Sequence, residues 1–306
     1  MELRSPASVD EAIAWLRSAT STIDTAANRA LLSAGSLERT FASGKRRPEL
    51  VWAATEASRV LGLIAARDYG DARLIDVLAL ATDAAWAPSI VAEATAWAAE
   101  SAEAELSFGA PAQAPLDDPQ VRALLALVEA AGWRMLVTRR HYELPAGALT
   151  SRATPDLVLE RAREGDEDRL AALLEHVVAG SRDARDAAAV AEVGAERAAR
   201  KLALDLLDAD PIDCIRFAVD DGRDVGMVSW LTVPSGYGFL LRVGVAERAR
   251  GRGLGRDLVA AATADLLASG AHTLIADTDD ANAPMRRAFD AEGWSATEAR
   301  IDLHLP

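Results

Sequence analysis

Apolar positions along this chain recur at helical spacing, then switch to strand-like runs, and the switch happens twice. Near the start, Ser8-Val-Asp-Glu11 forms a capping box ahead of an amphipathic run through Trp15 and Leu16. A second helix is predicted over residues 23–32, and strand runs follow at 50–55, 60–67 and 73–81. The pattern then restarts. Asp166 is placed to cap a helix carrying Leu170, Leu173, Leu174 and Val177, and a longer helix is predicted over 187–207. Strand runs occupy 215–219, 224–233 and 238–246, with Asp221-Gly222 and Ser235-Gly236 between them at hairpin spacing. After each third strand the order becomes helix, strand, helix, strand. Each half is therefore expected to build an antiparallel meander followed by a β–α–β unit.

The two halves also share residues. Gly132, Trp133, Arg139, Leu144 and Pro145 match Gly293, Trp294, Arg300, Leu305 and Pro306 at an offset of 161 positions. The expected organisation is two domains, 1–150 and 151–306. A linker is expected near 145–155, where Gly, Thr, Ser and Pro interrupt the periodicity.

A length of 306 residues suits two such domains, and half of the residues are hydrophobic, enough for sizeable cores. No apolar run approaches the roughly 18 residues of a membrane span. The first residues lack the basic-then-apolar layout of a signal peptide. The single cysteine, Cys214, fits a reducing compartment, so a cytoplasmic protein, monomeric or homodimeric, is expected. A net charge of −14 argues against nucleic acid as a partner and favours cationic small molecules or basic peptide ends.

One segment departs from this acidic background. Residues 243–255 read as an apolar strand, a basic turn and three glycines entering a helix. Such a turn lets successive backbone N–H groups converge at a helix N-terminus, where a phosphate or pyrophosphate is the natural guest. Arg250, Gly251, Arg252, Gly253, Leu254, Gly255 and Arg256 compose it, with Arg250, Gly253 and Gly255 in R-x-x-G-x-G spacing. Neither the G-x-x-x-x-G-K-[ST] loop nor a G-x-G-x-x-G frame fits. The first half has no counterpart, since Asp83-Ala-Ala-Trp-Ala-Pro88-Ser carries neither glycine nor a basic residue.

This turn is followed by a strand over 272–277 and by Asn282-Ala-Pro-Met-Arg-Arg-Ala-Phe289-Asp-Ala-Glu-Gly293-Trp294. With these residues the chain resembles the GNAT superfamily of acyl-CoA-dependent N-acyltransferases, specifically over 215–306 and traceably back to Leu157. The resemblance implies an α/β (α+β) protein of two GNAT-like modules, each a mixed, mostly antiparallel sheet flanked by helices. The first module is expected to be a degenerate copy, structural or substrate-shaping in role. Acetyl-CoA is implied as co-substrate, held by the turn, by the strand edge at Val243 and Val245, and by Asn282. Asn282 is equally a good helix N-cap, and the two roles are compatible. Val243 and Val245 would also face the thioester and stabilise its oxyanion.

The acceptor is expected to be a primary amine of a small molecule or peptide, which must lose a proton before attack. Asp277, five residues before Asn282, stands where the ribosomal-protein N-terminal acetyltransferases of this superfamily carry a glutamate base. It is one methylene shorter, which favours a water relay over direct contact, and a solvated turn of three aspartates is the other reading. Many members protonate the leaving thiolate with a tyrosine seven residues after the asparagine. Here that residue is Phe289, which cannot donate a proton and reads as packing against the acyl arm or as helix core. The four histidines, among them His141, share no metal-ligand spacing, so no metal is expected. His176 is expected in the core or at its rim. Trp15, Trp97, Trp133 and Trp294 are expected in the core. Two alternatives stay open: a thiol biosynthesis acetyltransferase of the mycothiol type, and a non-catalytic acyl-CoA-binding sensor or scaffold.

Overall fold

The computed structural model describes residues 1–57, 59–148, 157–209 and 212–306. In chain order the first part contains β1 (Glu2–Arg4), α1 (Val9–Ser18), α2 (Ala26–Leu31), α3 (Ala34–Ala42) and β2 (Val51–Glu56). It continues with β3 (Arg59–Asp68), β4 (Ala72–Ala79), α4 (Ala87–Ala98), β5 (Glu103–Pro111), α5 (Pro119–Ala130) and β6 (Arg134–Pro145). The second part contains β7 (Val158–Arg161), α6 (Glu167–Val178), α7 (Ala184–Val193), α8 (Ala195–Ala209) and β8 (Ile215–Asp220). It ends with β9 (Arg223–Thr232), β10 (Tyr237–Val245), α9 (Leu254–Ala268), β11 (Thr273–Asp279), α10 (Ala283–Ala291) and β12 (Ser295–His304).

The chain packs as two compact units, Met1–Arg139 with Glu298–Pro306, and Arg140–Thr297. These are not the linear halves 1–150 and 151–306, because the last strand of each half leaves it. The first unit has the strand order β1-β2-β3-β4-β5-β12, and the second has β7-β8-β9-β10-β11-β6. Each unit thus takes a strand that by sequence closes the other half. Burial fixes the exchange: Tyr142 and Leu144 of β6 lie in the core of the second unit, while Ile301 and Leu303 of β12 lie in that of the first. Of the expected linker, residues 149–155 fall outside the described residues.

Within each unit the sheet is an antiparallel meander with one parallel junction, β4 with β5 and β10 with β11, as the sequence pattern predicts. Each sheet is covered on both faces. In the second unit α9 and α10 bury one face through Leu258, Leu266 and Phe289. There α6 and α8 bury the other through Leu170, Leu174 and Ala199. The repeat extends to a hydrogen bond: Trp133 Nε1 donates to Thr95 Oγ1 at 2.8 Å, and Trp294 Nε1 donates to Thr263 Oγ1 at 3.2 Å. Trp15 is buried like these two, and Trp97 is partly so.

Local signals held with adjustments. Ser8 caps α1 by accepting from the Glu11 amide, but the Glu11 carboxylate reaches back to the Ala7 amide instead of to Ser8. The helix expected over 23–32 begins only at Ala26, because Thr25 caps it and Ile23 lies in a bend before it. The helix expected over 187–207 is two helices, broken at Gly194, whose φ of +82° ends α7. Asp221 and Gly222, at φ +48° and +72°, both take the left-handed conformation that a two-residue type I′ hairpin requires. His176 is exposed, on the outer side of α6.

Candidate functional site

The parallel pairing of β10 with β11 runs from Tyr237↔Thr273 only as far as Leu240↔Ala276. A bulge between Leu240 and Arg242 shifts the register of β10 against β9 at that point. Beyond it β10 stays paired to β9, so its other edge is released from β11. Ala246 donates its amide to the Val225 carbonyl, toward β9. By strand alternation Val243 and Val245 then turn their backbone groups to the open edge. Both sequence-predicted strand positions therefore line the opening, and the Val245 carbonyl accepts there from Arg250 Nε at 3.1 Å.

The glycine turn lies at the same end of the sheet. Gly251 and Gly253 adopt φ of +80° and +87°, and a Cβ at either would meet nothing within 4 Å. Gly253 is the N-cap of α9 and supplies no side-chain cap, so the helix opens with amides directed outward. Leu254 is buried and anchors the turn, while Gly255 keeps the first helical turn bare. Outward amides at a glycine-opened helix start form a geometry that can accept an anion.

The three arginines are deployed differently. Arg250 donates to the carbonyls of Val245, Gly180 and Val177, tying the turn to the C-terminal end of α6. Arg252 pairs with Asp220 and Arg256 with the buried Glu292, both at 2.7 Å. Arg250 thus braces the turn, while Arg252 and Arg256 are exposed beside it in ion pairs.

Asn282 is the N-cap of α10, its Oδ1 accepting from the Met285 amide at 3.4 Å. Phe289 is 2% exposed, stacked on Tyr142 at 4.7 Å and edge-on to Trp294 at 5.2 Å. It is helix core. Burial pushes the Tyr142 hydroxyl above its ordinary pKa and keeps it protonated at neutral pH.

Asp277 is the first residue of β11 beyond the last paired position, so it stands at the mouth of the opening. Leu274 and Ala276 face α9 and α10, so Asp277 and Asp279 face the α6–α7 side. There Asp279 accepts from the Ala184 amide at the start of α7 at 2.6 Å. On the same side Asp186 of α7 accepts from Arg242 of β10 and from Ser181, at 2.7 and 2.8 Å. His141 of β6, which sequence reasoning left without a role, meets Asp277 here: its Nδ1 is 2.7 Å from Asp277 Oδ1. Its Nε2 is 3.5 Å from Glu143 Oε1.

The equivalent opening of the first unit is filled from within. Pairing of β4 with β5 likewise stops, at Ile75↔Leu106, after a bulge. The released positions Leu78 and Leu80 correspond to Val243 and Val245. Thr22 donates its amide to the Leu78 carbonyl at 2.8 Å, and its Oγ1 both accepts from the Leu80 amide and donates to the Leu80 carbonyl. Asn28 bonds both backbone groups of Gly109 on β5, and Ile23 between them is buried in the core.

Residues 170–294 match the acetyltransferase (GNAT) family, so the chain carries a GNAT acetyltransferase domain over that segment. The fold as a whole is that of tandem GNAT proteins. A GCN5-related N-acetyltransferase from Sphaerobacter thermophilus is 14% identical, with a TM-score of 0.65 over 99% of this chain and 94% of that one. A tandem GNAT protein from the clavulanic acid biosynthesis pathway is 18% identical, with a TM-score of 0.54 over 99% and 98%. A GNAT-family acetyltransferase from Colwellia psychrerythraea is 12% identical, with a TM-score of 0.52 over the full length of both. No curated protein matches the chain. Among the described residues no cluster of metal-ligating side chains is present, and no helix is long and apolar enough to cross a membrane.

Proposed function

We propose that the protein is an acetyl-CoA-dependent N-acetyltransferase that acts through its second unit on a primary amine. The observation that carries this is the coincidence of three features at one end of one sheet: the uncapped, glycine-opened start of α9, the released edge of β10, and Asp277 at the mouth of the opening. The turn at 250–256 suits the pyrophosphate, and the Val243–Val245 edge suits the amide-bearing arm as a surrogate strand. Bound acetyl-CoA supplies an acetyl group activated as a thioester. The chain's part is to hold that group in place and to accept a proton. In a direct transfer the amine nitrogen bonds the acetyl carbon, the carbon–sulfur bond breaks, and the amine's proton is taken up by a basic group at the mouth of the opening. A thiol near pKa 8.5 leaves tolerably as thiolate, so the position of Phe289 needs no acid.

The acid-lined α6–α7 face, with Asp183, Asp186, Asp277 and Asp279, favours a cationic acceptor. The test has two parts. Calorimetric titration with acetyl-CoA measures binding, and thiol release over a panel of amines, amino acids, aminoglycosides and peptide N-termini measures transfer. Binding with amine-dependent release supports the enzyme. Binding without release from any amine points to an acyl-CoA-binding protein, and absence of binding sinks both.

A further inference from the structure

We infer that His141 is the group that takes the acceptor's proton, with Asp277 as the residue that positions it. This rests on the reading of the second unit as an N-acetyltransferase.

Asp277 reaches one methylene less far than the glutamate of the resembled enzymes would. The structure puts an imidazole at the end of it. His141 Nδ1 lies 2.7 Å from Asp277 Oδ1, and because a carboxylate only accepts, the neutral ring that suits this contact carries its proton on Nδ1 and its basic lone pair on Nε2. The two side chains are 24% and 25% exposed, so the pair is reachable without being fully solvated. A carboxylate behind an imidazole stabilises the imidazolium that forms when Nε2 accepts a proton. Glu143, two residues along β6 and 40% exposed, puts a carboxylate 3.5 Å from that same Nε2. An incoming ammonium is thereby drawn to the nitrogen that must deprotonate it. The proton moves from the ammonium to Nε2, the neutral amine forms its bond to the acetyl carbon, and the imidazolium is held between Asp277 and Glu143.

The internal repeat isolates this pair as a device of the second unit. At the offset of 161, His141 corresponds to Asp302. Counted from the last paired residue of each parallel junction, Asp277 corresponds to Ser107. These two also meet, Ser107 Oγ donating to Asp302 Oδ1 at 2.7 Å. The same cross-strand contact therefore exists in both units, and only in the second is it an imidazole–carboxylate pair. Among the described residues, the charged side chains on the face with His141 include Asp277 and Asp279 of β11, Glu143 of β6, Asp183 of α7's cap, and the Asp186–Arg242 pair of α7 and β10.

The experiment combines nitrogen-15 spectra of the histidine rings with rates. The full-length parent is compared with His141→Gln, Asp277→Asn and Glu143→Gln, the His141 signal being assigned by its loss in His141→Gln. The parent should show the neutral His141 ring protonated at Nδ1. Its titration midpoint should fall in both carboxylate variants, because each removes an anion that favours the imidazolium. With an accepted amine, His141→Gln should keep acetyl-CoA affinity and lose about 100-fold or more in turnover at neutral pH, the range of general base catalysis. That loss should shrink at high pH, where the amine loses its proton unaided. Asp277→Asn should lose less, with the lower limb of its pH–rate profile moved toward acid. A ring protonated at Nε2, a titration indifferent to Asp277→Asn, or His141→Gln turning over like the parent overturns the proposal while leaving the acetyltransferase standing. A parent that fails to bind acetyl-CoA overturns both.

Discussion

Thr22 satisfies both backbone groups of Leu80, accepting from its amide at 2.8 Å and donating to its carbonyl at 3.2 Å. Leu80 holds the position that Val245 holds in the second unit, where the strand edge is released from β11. The first unit thus keeps the splayed strands of the fold and closes them with its own chain. A surrogate strand arriving there would have to displace Thr22, Ile23 and Asn28 together. The first unit also begins α4 at Trp86 and Ala87, followed by Pro88, with no glycine turn.

One acetyl-CoA per chain is expected to bind, in the second unit. Calorimetric titration should give a single site. Two equivalent sites, or a bound cofactor protecting residues around Thr22 and Leu80 from hydrogen exchange, would contradict this.

Asn28→Ala should destabilise the protein by about 2–4 kcal/mol. The side chain is buried and bonds the Ile23 carbonyl and both backbone groups of Gly109, so its removal leaves several buried polar groups without partners. Urea unfolding reads the loss. Acetyl-CoA affinity of the folded variant should match the parent, and a weakened affinity would assign the segment a part in cofactor binding.

Gly255→Glu should abolish acetyl-CoA binding without unfolding the chain. A Cβ at Gly255 meets only Val245 Cγ2, at 3.9 Å, so the residue is tolerated sterically while its charge and bulk enter the cradle. The same change at Gly253 is a poorer probe. Its φ of +87° strains any other residue, so lost binding there would mix a damaged turn with a blocked site. Parent-like affinity in Gly255→Glu, by calorimetry, would remove the cradle assignment.

Phe289→Tyr should not restore a missing acid. The ring lies between Tyr142 and Trp294 in the core, so a hydroxyl added there is buried and costs roughly 1–3 kcal/mol unless it finds a partner. Turnover should stay near the parent value while the unfolding midpoint falls. A large gain in turnover would show both that the added hydroxyl reaches the reacting sulfur and that thiolate departure limits the rate.

The cofactor side of this site is legible in sequence because it is local. Glycines at 251, 253 and 255, a strand before them and a helix after them define a cradle within one stretch of chain. Asn282 and Phe289 follow at fixed helical distances. Even here the side-chain partners are not readable: nothing in the turn's sequence shows that Arg250 is bonded to carbonyls at the end of α6. The proton-accepting side is not local. His141 and Asp277 are 136 positions apart, and they meet only because β6 leaves its own half to pair beside β11. Periodicity cannot reveal that exchange, since a strand shows the same alternation whichever sheet it joins. The offset of 161 aligns His141 with Asp302, but the repeat alone does not say which partner each one meets.

The exchange yields a last prediction, on truncation. A chain of residues 151–306 contains the whole glycine turn, Asp277 and Asn282, and by linear reading it is a complete module. It lacks β6, and with it Tyr142 and Leu144, each 1% exposed in the core that also holds Phe289 and Trp294. Removing two such side chains costs several kcal/mol by the usual scale for large core residues. It also strips the neighbouring strand from β11, leaving a bare edge prone to self-association. This fragment should be aggregated or lack cooperative unfolding by circular dichroism, and adding a peptide of residues 134–145 should restore acetyl-CoA binding in part. A variant peptide carrying His141→Gln should restore binding equally well and turnover poorly. A fragment 151–306 that is monomeric, unfolds cooperatively and binds acetyl-CoA as the full chain does would show that the exchanged strand is dispensable, and that the second half closes its own sheet when β6 is absent.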